Sequence, residues 1–471
     1  MRPPLRDIPC RIDVPGRFVP KAQYALEMLL LPLGLRPAWT TARTSPGVWL
    51  YYGPDVHDLP PGAVVLHMAS EAPSYFDAKR PYPADRVRWV AWGGSRWPVL
   101  FGREEEPDLV ASAFFWLSGW QEYVAAERDR HGRFPYHASL QHDLGTAAAP
   151  AVDAYRQMLA DKLVGAGIEL PGPFWAGRPW VYCPTVDVDR IRKWHAARLV
   201  REAGAALRSP WKRTGKRTSG MSAGLRDLVA GRDPFQHALG RIIDEIVERR
   251  GTTTVFLKAG AHGPYDMPYA LSHAALKKYL AELDHFGFEI GVHPSYHAHT
   301  HPRRMGLERD RVAQTVGKQV ASVRQHYLRY ELERTPMLQA EAGFRIDSSL
   351  GFAEHEGFRR ATCLPFHVYD VAGDRPLPLW EMPVAAMDAA LFNRRGFSPE
   401  EAYAAVRELI AAVRRFSGVL VVIWHNELWD EHDHPGWGGL FERLLVDAAA
   451  DGALISSLGG ALAGWGVDKE Q

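Results

Sequence analysis

Residues 180–190 read WVYCPTVDVDR. The apolar run is too short for a typical helix, and it ends in two aspartates, Asp187 and Asp189, with Val188 between them. Side chains alternate across a strand, so both carboxylates can leave the same face at the strand's end. In parallel sheets and (β/α) barrels, chemistry gathers where strands finish. This reading of the chain's fold holds only if other apolar runs end in the same way.

They do. Strand candidates follow at TTTVFLKAG (252–260), FEIGVH (288–293), FRIDSSLGF (344–352), PLWEMPV (378–384), GVLVVIWH (418–425) and GALISSL (452–458). Helical patterns at 236–249, 272–286 and 307–329 separate them. Such alternation predicts an α/β fold, either a parallel sheet or a (β/α) barrel. Upstream, a helix is predicted at 22–34, then two short strands, GVWLYYG (47–53) and AVVLHMA (63–69). The aromatic stretch 108–129 reads as a helix with an apolar stripe and an acidic, solvent-facing end. Residues 128–145 read as loop, and 150–166 as another helix. The Gly/Pro-rich turn ELPGPFWAGRPW (169–180) marks a boundary. The organisation predicted is a small α/β domain, 1–175, followed by a larger domain, 176–471.

A chain of 471 residues is too long for one ordinary core, consistent with two domains. Lys plus Arg number 56 and Asp plus Glu 55, so no global field favours nucleic acid or an anionic membrane. One basic run, RSPWKRTGKRTSG (208–220), reads as a solvated loop. The cysteines Cys10, Cys183 and Cys363 are odd in number and far apart, which suits reduced, buried thiols. The N-terminal stretch has no apolar core of a signal peptide. YALEMLLLPLGL (24–35) is too short, and too interrupted by Glu27 and Pro32, to span a bilayer. A cytoplasmic protein with no membrane span and no nucleic-acid partner is the expectation.

Several runs end in polar groups suited to metal-assisted hydrolysis. His293 closes one, and His297 follows four residues later, on the same face if Pro294 opens a helical turn. His425 and Glu427 close the last clear strand, and FRIDSSL supplies Asp347. Two histidines and a carboxylate leave open positions on a divalent ion. A further carboxylate can serve as base and a separate histidine as acid. Each piece alone has a plain structural reading: a cap, a turn pair or a core histidine. Their joint occurrence at strand ends favours chemistry.

Taken together, TVDVD, TTTVFLKAG, HPSYH, RQHYLRY, FRIDSSLGF and VVIWHNE resemble the motifs of the polysaccharide deacetylase family, also called NodB-homology or carbohydrate esterase family 4, over roughly residues 180–460. Three positions depart from the usual pattern. The aspartates are spaced D-x-D, Pro294 stands at a Ser/Thr position, and His326 stands at a proline position. The resemblance implies a distorted (β/α) barrel with Asp187 as general base, Arg324 as its ion-pair partner and His425 as general acid. It implies Asp189, His293 and His297 as ligands of one divalent ion, Zn first, with Co, Ni, Mn or Fe as alternatives. Trp380, Trp424, Asp347 and Glu427 are expected near substrate, and His299 and His301 at the surface. The N-terminal part is similar to an uncharacterised domain that precedes deacetylase-like domains in some bacterial proteins associated with surface polysaccharides. The activity implied is removal of acetyl from an N-acetylated sugar or related amide. Two rivals remain open: a DxD glycosyltransferase, and a non-catalytic glycan- or partner-binding member of the fold.

Overall fold

The computed structural model describes residues 5–42, 47–54, 59, 61–171, 175, 177–194, 227, 232–267 and 269–465. The basic run 208–220 lies outside them.

The first part of the chain builds a four-stranded parallel sheet from β1 (Arg6–Ile12), β2 (Leu35–Trp39), β3 (Trp49–Gly53) and β4 (Ala63–His67), in the order β2-β1-β3-β4. Parallel neighbours need a crossover, and the helix Val19–Leu30 supplies the one between β1 and β2. A 3-10 turn, Leu31–Leu33, extends it to Gly34, whose φ of 76° ends it. An antiparallel hairpin, β5 (Arg88–Trp92) and β6 (Ser95–Val99), follows.

The aromatic stretch differs from its expected form. It is two helices, Leu109–Ser118 and Trp120–Val124, broken at Gly119. A Cβ on Gly119 would fall 1.5 Å from Nη1 of Arg360, so only glycine lets that guanidinium approach. Every residue of the first helix is buried, because it is sandwiched between the helices Val19–Leu30 and Ala151–Gly165 and the larger unit. The acidic end at Glu127 faces solvent as expected, but the second helix also carries a buried acid. Glu122 is buried and holds Arg359 at 2.6 Å and Arg360 at 3.2 Å. Asp153, also buried, accepts from the Cys363 N–H at 2.8 Å and from Thr362 Oγ1 at 2.9 Å. Buried charges persist where they are paired, and these pairs tie the two parts of the chain together.

The larger sheet has ten strands: β7 (Val181–Val188), β8 (Thr254–Leu257), β9 (Glu289–Val292), β10 (Ser322–Val323), β11 (Ile346–Asp347), β12 (Phe366–Asp370), β13 (Arg375–Glu381), β14 (Val384–Met387), β15 (Val419–His425) and β16 (Leu454–Ile455). Their order is β12-β13-β11-β10-β9-β8-β7-β15-β14, with β16 beside the start of β7. All pairings are parallel except β12 with β13. The sheet curls into an open half-barrel; among the described residues its edge strands β12 and β14 do not pair. Helices Pro234–Glu248, Ala274–His285, Pro302–Val316, Pro399–Arg415 and Trp437–Ala450 cover it. All eight residues of β7 are buried, as expected for a parallel strand covered on both faces.

One predicted helix, 307–329, is cut short. It spans Pro302–Val316 and ends at Gly317, φ 71°. The chain then forms β10 and a 3-10 turn, His326–Leu328. That change puts Arg324 and His326 at a strand end.

Candidate active site

The C-terminal ends of β7, β9, β10 and β15 lie at one edge of the sheet. Asp187 belongs to β7 and pairs in register with His425 of β15. His293 directly follows β9, and Arg324 directly follows β10. A cleft of about 510 Å³ opens over them.

Asp189, His293 and His326 converge there, with one donor atom from each lying within 4.8 Å of the others. His293 Nε2 is 3.5 Å from Asp189 Oδ1, and His326 Nε2 is 3.5 Å from Asp189 Oδ2. Each imidazole is oriented from behind. His293 Nδ1 donates to the Arg324 carbonyl at 2.7 Å, and His326 Nδ1 to Asp266 Oδ1 at 3.0 Å. Such hydrogen bonds fix the tautomer of a metal-binding histidine and leave Nε2 to the ion. Asp189 Oδ1 is buried without a hydrogen-bond partner among the described residues. A buried carboxylate oxygen of this kind needs a ligand, so these residues fit a divalent cation.

Electrostatics agree with the geometry. Burial alone would raise the Asp189 carboxyl, but His326, His293 and Lys258 outweigh it and hold it well below the usual range. Burial lowers His293 to about 4, so its ring is neutral at pH 7. Burial would also lower His326, but Asp189 and Asp266 raise it above an ordinary histidine.

Beside this trio stands Asp187. Arg324, fully buried, donates from Nη1 to Asp187 Oδ1 at 2.9 Å. The same guanidinium donates to Thr185 Oγ1 at 2.7 Å, to the Ser348 carbonyl at 2.8 Å and to Ser348 Oγ at 2.9 Å. Its plane therefore cannot rotate away. On the other side, His425 Nδ1 donates to Asp388 Oδ1 at 2.6 Å. Burial would lower His425, but the Asp388 carboxylate outweighs it and raises the ring to about 10.

No curated protein matches the sequence. Residues 76–166 match DUF7033, a family of unknown function. Among solved structures, a protein assigned to the polysaccharide deacetylases from Mycobacterium smegmatis is similar at 17% identity. The match covers 63% of this chain and 92% of that one, with a TM-score of 0.40. A family 4 carbohydrate esterase from Streptomyces lividans, in complex with acetate, is 12% identical over 46% of this chain and 84% of that one, TM-score 0.27. A carbohydrate esterase family 4 pseudoenzyme from Bacillus anthracis is 9% identical over 59% and 64%, TM-score 0.28.

Several sequence expectations need correction. His297 is exposed and stands outside the trio. The helical turn that would align it with His293 does not form across 293–295. Instead the Ser295 N–H binds Glu308 at 2.6 Å and the Tyr296 N–H binds Asp266 at 2.9 Å, which turns the chain outward. His326 occupies the place in the trio expected of His297. His299 is buried rather than at the surface, and burial lowers it to about 4; His301 is exposed. Trp424 packs beneath the site on Trp437 and Phe441. Trp380 lies tilted against His367, ring centroids 3.8 Å apart, and lines a separate groove with Arg345 and Ser457. Asp347 is buried under the site, where its Oδ1 accepts from Ser349 Oγ and Ser349 Oγ in turn accepts from the Gln325 N–H. Its carboxyl is raised to about 6 by burial. Glu427 does line the cleft, 3.4 Å from Arg190.

Two residues were missed. Asp388 follows β14 and obeys the same strand-end rule, so MDAAL (387–391) carried the signal. Asp266 sits in a loop, with no periodicity to flag it.

Proposed function

We propose that this cleft hydrolyses the acetamide of an N-acetylated carbohydrate, or a closely related amide, in bacterial polysaccharide metabolism. The observation that carries the proposal is one juxtaposition. An Arg-paired carboxylate, Asp187, and an Asp-paired imidazole, His425, occupy one register pair of neighbouring strands, beside a trio suited to a divalent ion. The division into a 1–175 unit and a 176–471 unit is part of the same proposal.

Asp189, His293 and His326 would hold the ion; Zn suits imidazole and carboxylate donors, and Co, Ni, Mn or Fe do as well. Bound there, a divalent ion supplies Lewis acidity towards water and towards the amide carbonyl. Asp187 removes the proton of the attacking water. Arg324 occupies its Oδ1, leaving Oδ2 turned towards His293 at 3.9 Å. His425 carries a proton on Nε2, because Asp388 fixes Nδ1–H and keeps the ring charged at neutral pH. That proton passes to the departing nitrogen, and acetate and a free amine result.

Acetate release from N-acetylglucosamine oligomers by the metal-loaded protein tests the reading. Wild type should turn over, while Asp187→Asn and His425→Ala should each lose roughly 100-fold or more. Full activity in Asp187→Asn would remove the assigned base. A metal-loaded wild type that releases no acetate from any N-acetylated sugar would favour a binding role.

A further inference from the structure

The loop 128–136 belongs to the N-terminal part of the chain, yet it walls the cleft. Arg130 and Arg133 line it together with Tyr327 and His326. The loop is firmly built. Asp129 Oδ1 accepts from the N–H groups of His131 and Arg133, at 2.8 and 3.0 Å, and Gly132 takes φ 78°. Arg133 is buried, held by Asp129 at 2.6 Å, and donates to the Tyr327 carbonyl at 2.8 Å. Arg329 returns the contact by donating to the His131 carbonyl at 2.8 Å. His131 Nδ1 meets Tyr296 Oη at 2.9 Å. The wall is thus anchored to Tyr327 and Arg329, which follow His326, and to Tyr296.

Its tip presents Arg130. The Nε of Arg130 lies 3.1 Å from His131 Nε2, which orients the guanidinium without neutralising it. Arg394 reaches the same cleft from the end of the helix Asp388–Asn393, the helix that begins with the partner of His425. Both arginines are exposed, and among the described residues neither forms an ion pair. The acids of the cleft are already matched. Asp187 has Arg324 at 2.9 Å, Asp189 has the two histidines and Lys258 at 3.9 Å, and Glu427 has Arg190 at 3.4 Å. Among the described residues, the cleft therefore offers two guanidinium groups with no carboxylate partner. Guanidinium is suited to bidentate binding of carboxylate or phosphate.

We infer that the N-terminal unit is the specificity element of the site, and that Arg130 and Arg394 select a substrate carrying an anionic group, carboxylate or phosphate, near the amide. This rests on the deacetylation reading, but the binding it predicts is measured separately from turnover.

The experiment uses the full-length, metal-loaded protein with three probes: N-acetylglucosamine, N-acetylmuramic acid for carboxylate, and N-acetylglucosamine 1-phosphate for phosphate. Calorimetric binding and acetate release are measured for wild type, Arg130→Gln and Arg394→Gln. Both arginines are exposed, so the variants should fold. One anionic probe should bind roughly tenfold or more tightly than the neutral sugar, with the advantage lost in each variant and neutral-sugar binding unchanged. Which anionic probe gains decides between carboxylate and phosphate. That binding pattern without acetate release would support the selection while the hydrolytic reading failed. Equal binding of anionic and neutral probes, or an anionic preference untouched by both substitutions, would overturn it, whatever the turnover.

Discussion

Asp388 grips His425 at two points: the imidazole Nδ1 lies 2.6 Å from Oδ1, and the backbone nitrogen of His425 lies 2.6 Å from Oδ2. The carboxylate is fully buried, so its charge acts on the ring with little screening. The two residues close neighbouring parallel strands, β14 and β15, so the sheet itself sets their spacing.

Asp388→Asn should lower turnover by roughly 100- to 10,000-fold, the range for removing the carboxylate that orients a catalytic imidazole. The alkaline limb of the pH–rate profile, set in wild type by a His425 near 10, should move to lower pH. Stability should follow the same group. A raised pKa contributes stability fully below the ordinary histidine value of about 6.5, and loses it as pH rises through the folded value near 10. Urea denaturation across that window should fall more for wild type than for the variant.

Metal binding should release protons near neutral pH. His326 is raised above an ordinary histidine by Asp189 and Asp266 despite its burial, and a ligating imidazole must give up its Nε2 proton. Calorimetry in buffers of different ionisation enthalpy measures that release. Affinity should rise as pH rises. A binding enthalpy independent of buffer would contradict the assignment of His326.

Arg324→Ala should destabilise the protein by about 3–5 kcal/mol, because it strands the buried Asp187 carboxylate. Arg324→Lys should restore part of this, since one cation remains but the links to Thr185 and Ser348 cannot all be kept. Urea titration at pH 7 gives both values.

Glu122→Ala should cost a similar amount, about 3–5 kcal/mol, by leaving two arginine charges unpaired at the junction of the two parts. Burial would raise the Glu122 carboxyl, but Arg359 and Arg360 outweigh it and hold it low. Its contribution is therefore present above the ordinary glutamate value of about 4.3 and is lost as pH falls through the lower folded value. The gap between wild type and Glu122→Ala should close on acidification.

The alternation of apolar runs and helical patterns made the α/β class legible, because buried parallel strands leave continuous hydrophobic segments such as VLVVIWH. Strand ends also pointed to Asp187, Asp189, His293 and His425. The exchange of His297 for His326 was not legible. A four-residue spacing suggests a helical face, but Glu308 and Asp266, from elsewhere in the chain, pull residues 295–296 into another path. His326 was concealed inside an apparent long helix, which Gly317 ends early. Trp380 and Trp424 looked like binding residues from type alone, yet alternation turns Trp424 to the face opposite Asp187's neighbour His425, into the core. The arginine wall from residues 128–136 is a long-range contact, which no local pattern encodes.

The most direct test is metal content, measured by mass spectrometry, of wild type, His326→Ala and His297→Ala. About one divalent ion per chain is expected in wild type and in His297→Ala, and its loss in His326→Ala. Retention by His326→Ala with loss by His297→Ala would contradict the assignment of His326.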